Sequence, residues 1–173
     1  NATFMTPPAP LGWSVQTSGT TALLWSVHST SASVSTAVGE SGTIVRTTNA
    51  GVTWVAQSSG TGETLLSVAF ADVSTGLVVG DNGTILRTTN GGTTWSAQTS
   101  GTTNFLLGVA FPTTSVATAV GLSGTILRST NGGVTWAAQS SGTAAALLGV
   151  SFIDANNGWA VGQNDMILKT TNG

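Results

Sequence analysis

GTILRTTNGGTTW, residues 83–95, recurs almost letter for letter along the chain: as GTIVRTTNAGVTW at 42–54, as GTILRSTNGGVTW at 124–136, and as MILKTTNG at 166–173. The tryptophans Trp13, Trp54, Trp95 and Trp136 stand 41 residues apart each time, and the residues between them align without a gap. A period of that length belongs to repeat architectures, solenoids or propellers. Inside the stretch, residues 83–89 alternate and are rich in β-branched side chains, which suits a pleated strand. Asn90-Gly91-Gly92 follows as a turn, where glycine adopts positive φ without strain and asparagine can hydrogen-bond the backbone beyond it. Trp95 then opens a second strand, WSAQTS.

Each 41-residue unit yields four strands. An inner strand is expected at Leu23–Val27, Leu65–Phe70, Leu106–Phe111 and Leu147–Phe152. Leu66, Val68 and Phe70 are expected to face one neighbouring blade, with the smaller Ser67 and Ala69 facing the other, as stacked sheets require. A short second strand ends in Val38-Gly39, Val79-Gly80, Val120-Gly121 or Val161-Gly162. The hairpins ESG, DNG, LSG and QND reverse the chain into the third strand. WSVQTSG at 13–19 aligns with the fourth strands WVAQSSG, WSAQTSG and WAAQSSG but stands without the three that should precede it. The expectation is therefore an all-β propeller of four four-stranded blades over residues 13–173, with the N-terminal strand completing the C-terminal blade and removing the open edges. The same half-blades also allow joining between chains, as a two-chain ring or an open fibre. Residues 1–12 read as a proline-rich arm.

The pattern T-x-N-x-G-x-T-W, at Thr88–Trp95, from Thr47 and from Ser129, resembles the Asp-box of BNR-type β-propellers. The wider unit, VGxxGTILRTTNGGxTWxxQxSG, is similar to the photosystem II stability and assembly factor family. The resemblance runs from about residue 12 to the end and implies a propeller fold. It also implies that Asn49, Gly51 and Trp54, Asn90, Gly92 and Trp95, Asn131, Gly133 and Trp136, and Asn172 form structural turns. Asparagine stands at each place where the box usually carries aspartate. A propeller hosts many activities, so the motif speaks for fold and not for function.

Only ten residues carry formal charge, whereas Ser and Thr number 51, and the net charge is −2. Four cations argue against a nucleic-acid partner, which needs a basic patch. A surface of hydroxyls and glycine offers little repulsion between copies, which favours self-association. No cysteine is present, which excludes thiol chemistry, disulfides and thiolate metal sites. No run of 18 apolar residues spans a membrane. Beginning at Asn1 with no signal peptide, the sequence reads as a processed, exported form, and an extracellular, cell-surface or periplasmic location is expected. Asn1-Ala2-Thr3 and Asn82-Gly83-Thr84 match the N-glycosylation pattern.

Arg46, Arg87, Arg128 and Lys169 occupy one repeat position, at the end of the third strand. Two readings apply: an anion or partner site, as the resemblance implies for the family's arginine-lined face, or stems packed on tryptophan with donors bonded between blades. The strand order places Glu40, Asp81, Asp165 and Glu63 at one end of the ring, and Asp72, Asp154 and the cations at the other. The ends then carry −4 and +2, a complementarity suited to head-to-tail stacking. Trp25 and Trp159 break the repeat, as sugar platforms or as packing variants. His28 is the single histidine, with no carboxylate near it in sequence, and is a poor catalytic or metal signal.

BNR propellers include sialidases with a tyrosine nucleophile, and this chain has no tyrosine. The acids lie in rim turns with no apolar pocket evident to shift a pKa, so no catalytic residue, metal or cofactor is expected. Three functions are carried forward. The first is a non-enzymatic structural or interaction module that binds copies of itself or another protein. The second is an assembly factor for a membrane protein complex, acting through the arginine face. The third is a glycan-binding lectin or glycosidase.

Overall fold

The computed structural model describes residues 12–173. The arm expected over residues 1–12, Gly12 apart, and the Asn1 glycosylation pattern lie outside them. The first sheet comprises β1 (Leu24–Ser29), β2 (Ser35–Gly39), β3 (Ile44–Thr47) and β4 (Val55–Gln57). The second comprises β5 (Leu65–Phe70), β6 (Gly76–Gly80), β7 (Ile85–Thr88) and β8 (Ser96–Gln98). The third comprises β9 (Leu106–Thr113), β10 (Val116–Gly121), β11 (Ile126–Ser129) and β12 (Ala137–Gln139). The fourth has three strands, β13 (Leu147–Phe152), β14 (Gly158–Gly162) and β15 (Ile167–Thr170). Every pairing is antiparallel between sequence neighbours, which is the blade of a β-propeller.

The blades lie side by side through their inner strands, β1 on β5, β5 on β9 and β9 on β13. Each core cluster therefore forms between blades. Val38 and Ile44 of the first sheet pack with Leu65, Val68, Phe70, Val78 and Leu86 of the second, and Trp95 leans on the group. Ala69, Leu77, Val79 and Ile85 pack on the other side, against the third sheet and Trp136. The large-against-small alternation of the inner strand holds from Ser67 onward. Leu65 rather than Leu66 joins the cluster, because a bulge between Leu65 and Ser67 resets the alternation and turns Leu66 aside.

Close backbone approach explains the recurring Val-Gly dipeptide. Gly80 is extended, and a Cβ there would run into the carbonyl oxygen of Thr64. Gly39, Gly121 and Gly162 meet the carbonyls of Leu23, Phe105 and Ala146 in the same way. The following hairpin turns through a left-handed residue, Ser41, Asn82 or Ser123, at φ of 53, 52 and 56°.

The arc is open. No strand of the fourth sheet packs against the first as inner strands do elsewhere, and Trp13–Gly19 forms no strand and joins no sheet. That segment lies beside the first sheet, with Gln16 against Gly51 and Gly19 against the Trp54 carbonyl. The expected closure, with this strand as the fourth of the last blade, is thus not formed within the chain. Four blades stacked at this curvature leave the first and last sheets at opposite ends of the arc.

Candidate functional site

The turn between third and fourth strands is held by one asparagine and one hydroxyl. The Thr88 hydroxyl donates to Asn90 Oδ1 at 2.9 Å and accepts from the Gly92 N–H at 3.0 Å. Asn90 Oδ1 also accepts the Thr94 N–H at 3.0 Å, while Asn90 Nδ2 donates to the Thr94 hydroxyl at 2.8 Å. Asn49 and Asn131 repeat the set with Thr47 and Thr53, and with Ser129 and Thr135. An aspartate would keep the acceptor half of this arrangement and lose the amide donor. Asn172 holds only the inner half, through Thr170. Trp95 and Trp136 each donate their indole N–H back to the turn, to Gly92 and Gly133 oxygens at 3.2 and 3.1 Å.

Arg46 and Arg87, near the end of the third strand, reach the next blade's Asn-centred turn, and Arg128 reaches the loop between that blade's first two strands. Arg87 Nε donates to the Gly132 carbonyl at 2.7 Å, and Arg128 Nη2 to the Ala155 carbonyl at 2.6 Å. Arg46 lies against Gly91 and Gly92, its Nε buried without a partner. Arg128 also sits 6.0 Å from the Phe152 ring centre. Lys169 differs: its Nζ stands 5.6 Å over the ring of Trp159. Three of the four cations thus face the seams between blades, and the fourth stands on the outer face of the last one.

The two rims of the arc, at opposite ends of the strands, are distinct. At one, the hairpins touch the connections into the inner strands: Gly42 N–H bonds the Glu63 carbonyl, and Asn82 Nδ2 bonds the Glu63 carboxylate at 2.9 Å. At the other, the Asn-centred turns meet the loops between first and second strands, as Gly91 N–H does Ser74 and Gly173 N–H does Asn156. Asp72 and Asp154 lie in those loops and accept backbone N–H groups, at 2.7 and 2.6 Å from Ser74 and Thr75 and at 2.7 and 2.8 Å from Asn156 and Asn157. These bonds to the charged form hold both carboxyls below the ordinary range. Partial burial lowers the His28 pKa, its ring lying 5.6 Å from that of Phe70. Among the described residues no group of His, Cys, Asp and Glu could hold a metal ion, and no helix is long and apolar enough to cross a membrane.

Trp25 and Trp159 are both exposed, on opposite end faces of the arc. What the sequence reading missed lies around them. The outer face of the last sheet shows Trp159, Val161 and Ile167, which correspond in the repeat to the buried Leu77, Val79 and Ile85. Ile167 is 70 % exposed where Ile85 is 1 % exposed. The outer face of the first sheet shows Leu24 and Val27, counterparts of the buried Leu65 and Val68. The signal was present in the repeat at four of these five positions, which are apolar in every unit and so covered by some neighbour; the Trp159 position holds Thr36 and Thr118 in other units.

No protein-family model and no curated protein matches the sequence. Among solved structures, the fold matches "YCF48 bound to D1 peptide" with a TM-score of 0.70 and 21% identity, over 83% of this chain and 48% of that one. It matches YCF48 from Cyanidioschyzon merolae with a TM-score of 0.71 and 20% identity, over 86% and 50% of the two chains. An ancestral GH74 enzyme matches with a TM-score of 0.65 and 15% identity, over 83% of this chain and 22% of that one. The chain has the β-propeller fold seen in the YCF48 structures and spans about half of their length.

Proposed function

We propose that the chain is a non-catalytic, exported interaction module whose first partner is another copy of itself. The observation that supports it most is the pair of apolar end faces. Leu24 and Val27 at one end, and Trp159, Val161 and Ile167 at the other, occupy positions that inner blades cover with a neighbouring blade. The face shown at the last sheet is the one that, in the second sheet, receives the third. Each end therefore offers what the other receives, a heterologous contact. Low charge removes the repulsion that would oppose it. Light scattering across a dilution series tests this reading: the mass should exceed one chain and fall toward 17.2 kDa on dilution. Ile167→Asp, at an exposed position, should leave the fold intact and abolish the association. A single-chain mass at every concentration would reject it.

A second reading, a protein-binding assembly factor, is favoured by the structure described as YCF48 bound to a D1 peptide. Its weakness here is that Arg87 and Arg128 already bond carbonyls of the adjoining blade. Loss of a protein partner on replacing Lys169, with the fold preserved, would favour it.

A further inference from the structure

Trp95 packs on seven residues that span two blades, Val38, Ile44, Leu65, Val68, Phe70, Val78 and Leu86. Moving each forward by two repeats gives Val120, Ile126, Leu147, Val150, Phe152, Ala160 and Leu168, the wall between the third and fourth sheets. Six of the seven form one apolar cluster there. Between the first two sheets and between the second and third, a box tryptophan leans on the corresponding group. Between the third and fourth, a cleft of about 510 Å³ stands open, lined by Val120, Ile126, Val150, Phe152, Ala160 and Leu168. The same shift applied to the fourth strand shows what it would take. Ile44 pairs with Gln57, Ile85 with Gln98 and Ile126 with Gln139, so the edge at Ile167 is cut for the glutamine of a Trp-x-x-Gln strand. The chain holds one such strand outside any sheet, Trp13–Gln16, and its tryptophan is fully exposed.

We infer that this cleft is a binding site for the Trp13–Gln16 strand of a second copy. The strand adds antiparallel to β15 with Gln16 opposite Ile167 and Ser14 opposite Lys169, and the Trp13 indole enters the cleft edge-on to Phe152, as Trp95 meets Phe70 at 6.0 Å. Backbone bonds complete the sheet, and the indole supplies the specificity, as a large aromatic anchor does at an interface centre. One detail departs from the internal joints. Gly12 stands where the other boxes have threonine before the tryptophan, so Asn172 gains no hydroxyl partner, and the tryptophan and the strand carry the joint. The inference rests on the self-association reading above and gives its chemistry.

The absence of cysteine makes the joint testable by disulfide trapping. Chains carrying Gln16→Cys are mixed with chains carrying Ile167→Cys and oxidised mildly. The expected result is a non-reducing band at twice the chain mass, formed in the mixture and lost when Trp13→Ala is added to the first chain. Trp13→Ala alone should weaken association by about 30-fold or more, the size of an interface hot spot. Trp13 is exposed in the single chain, so its removal leaves that fold intact. A double variant, Gln16→Cys with Ile167→Cys, that closes its bond within one chain would overturn the inference in favour of the chain's own strand. If the mixture gives no cross-link while the unmodified protein still associates in light scattering, this joint is wrong and self-association stands. If the protein is a single chain throughout, both fail.

Discussion

Asn90 carries the turn that every repeat uses. It accepts from one hydroxyl and one N–H and donates to a second hydroxyl, all within the stretch Thr88–Thr94. Asn90→Ala should cost about 1 kcal/mol, because the buried Thr88 hydroxyl loses its acceptor while the exposed Thr94 groups turn to water. Asn90→Asp should cost less, since only the amide donor goes. Urea unfolding of the two variants checks the order. The pH response follows from His28, Asp72 and Asp154. Burial lowers the His28 pKa, so the folded state resists its protonation. Its stabilising share is full above about 6.5 and declines as pH falls from there through the folded value. Backbone N–H groups lower the pKa of Asp72 and Asp154, so their share is present above about 4 and is lost as pH falls through their folded values. Melting temperature should therefore drop in two stages on acidification. Replacing His28 with Phe should remove the upper stage and leave the lower one. The turn residues were legible because they recur, whereas the Nδ2 bond that explains asparagine in place of aspartate needed the position of Thr94 in space.

At the scale of the strand, the sequence showed the four-strand unit and its order but misplaced one face. Leu66 alternates correctly on paper, and the bulge after Leu65 moves it off the core. Nothing in the letters marks that bulge. The second strand's closing glycine was visible as a repeat, while its cause, the carbonyl of the preceding connection against its Cα, belongs to packing. Gly80→Ala should consequently destabilise by about 2 kcal/mol or more, since a rigid backbone atom must move to admit the methyl group. The same substitution at Gly60, where a Cβ meets open space, should cost less, the strain of φ 74° alone. Thermal unfolding of both variants separates crowding from backbone strain.

For the whole molecule, equivalence between repeats carries the argument. Closely similar units make closely similar faces, so an end blade presents a surface that inner blades bury. The sequence could show that a fourth strand lay at the N-terminal side and three at the C-terminal side. It could not show whether they meet inside one chain, because that depends on the curvature per blade. At the observed curvature the first and last sheets stand apart, and the chain superposes on about half of each of two longer structures. Two copies joined head to tail at two equivalent seams would thus supply the blades of one ring, eight in all. A heterologous contact closes into a ring only at the right rotation and otherwise grows into a filament. Small-angle X-ray scattering of the unmodified 173-residue chain tests the claim most directly, since one curve gives both mass and shape. The account expects twice the chain mass of 17.2 kDa and the pair-distance profile of a flat, closed disc. The mass of a single chain at every concentration, or a mass that climbs with concentration into rods, would contradict it.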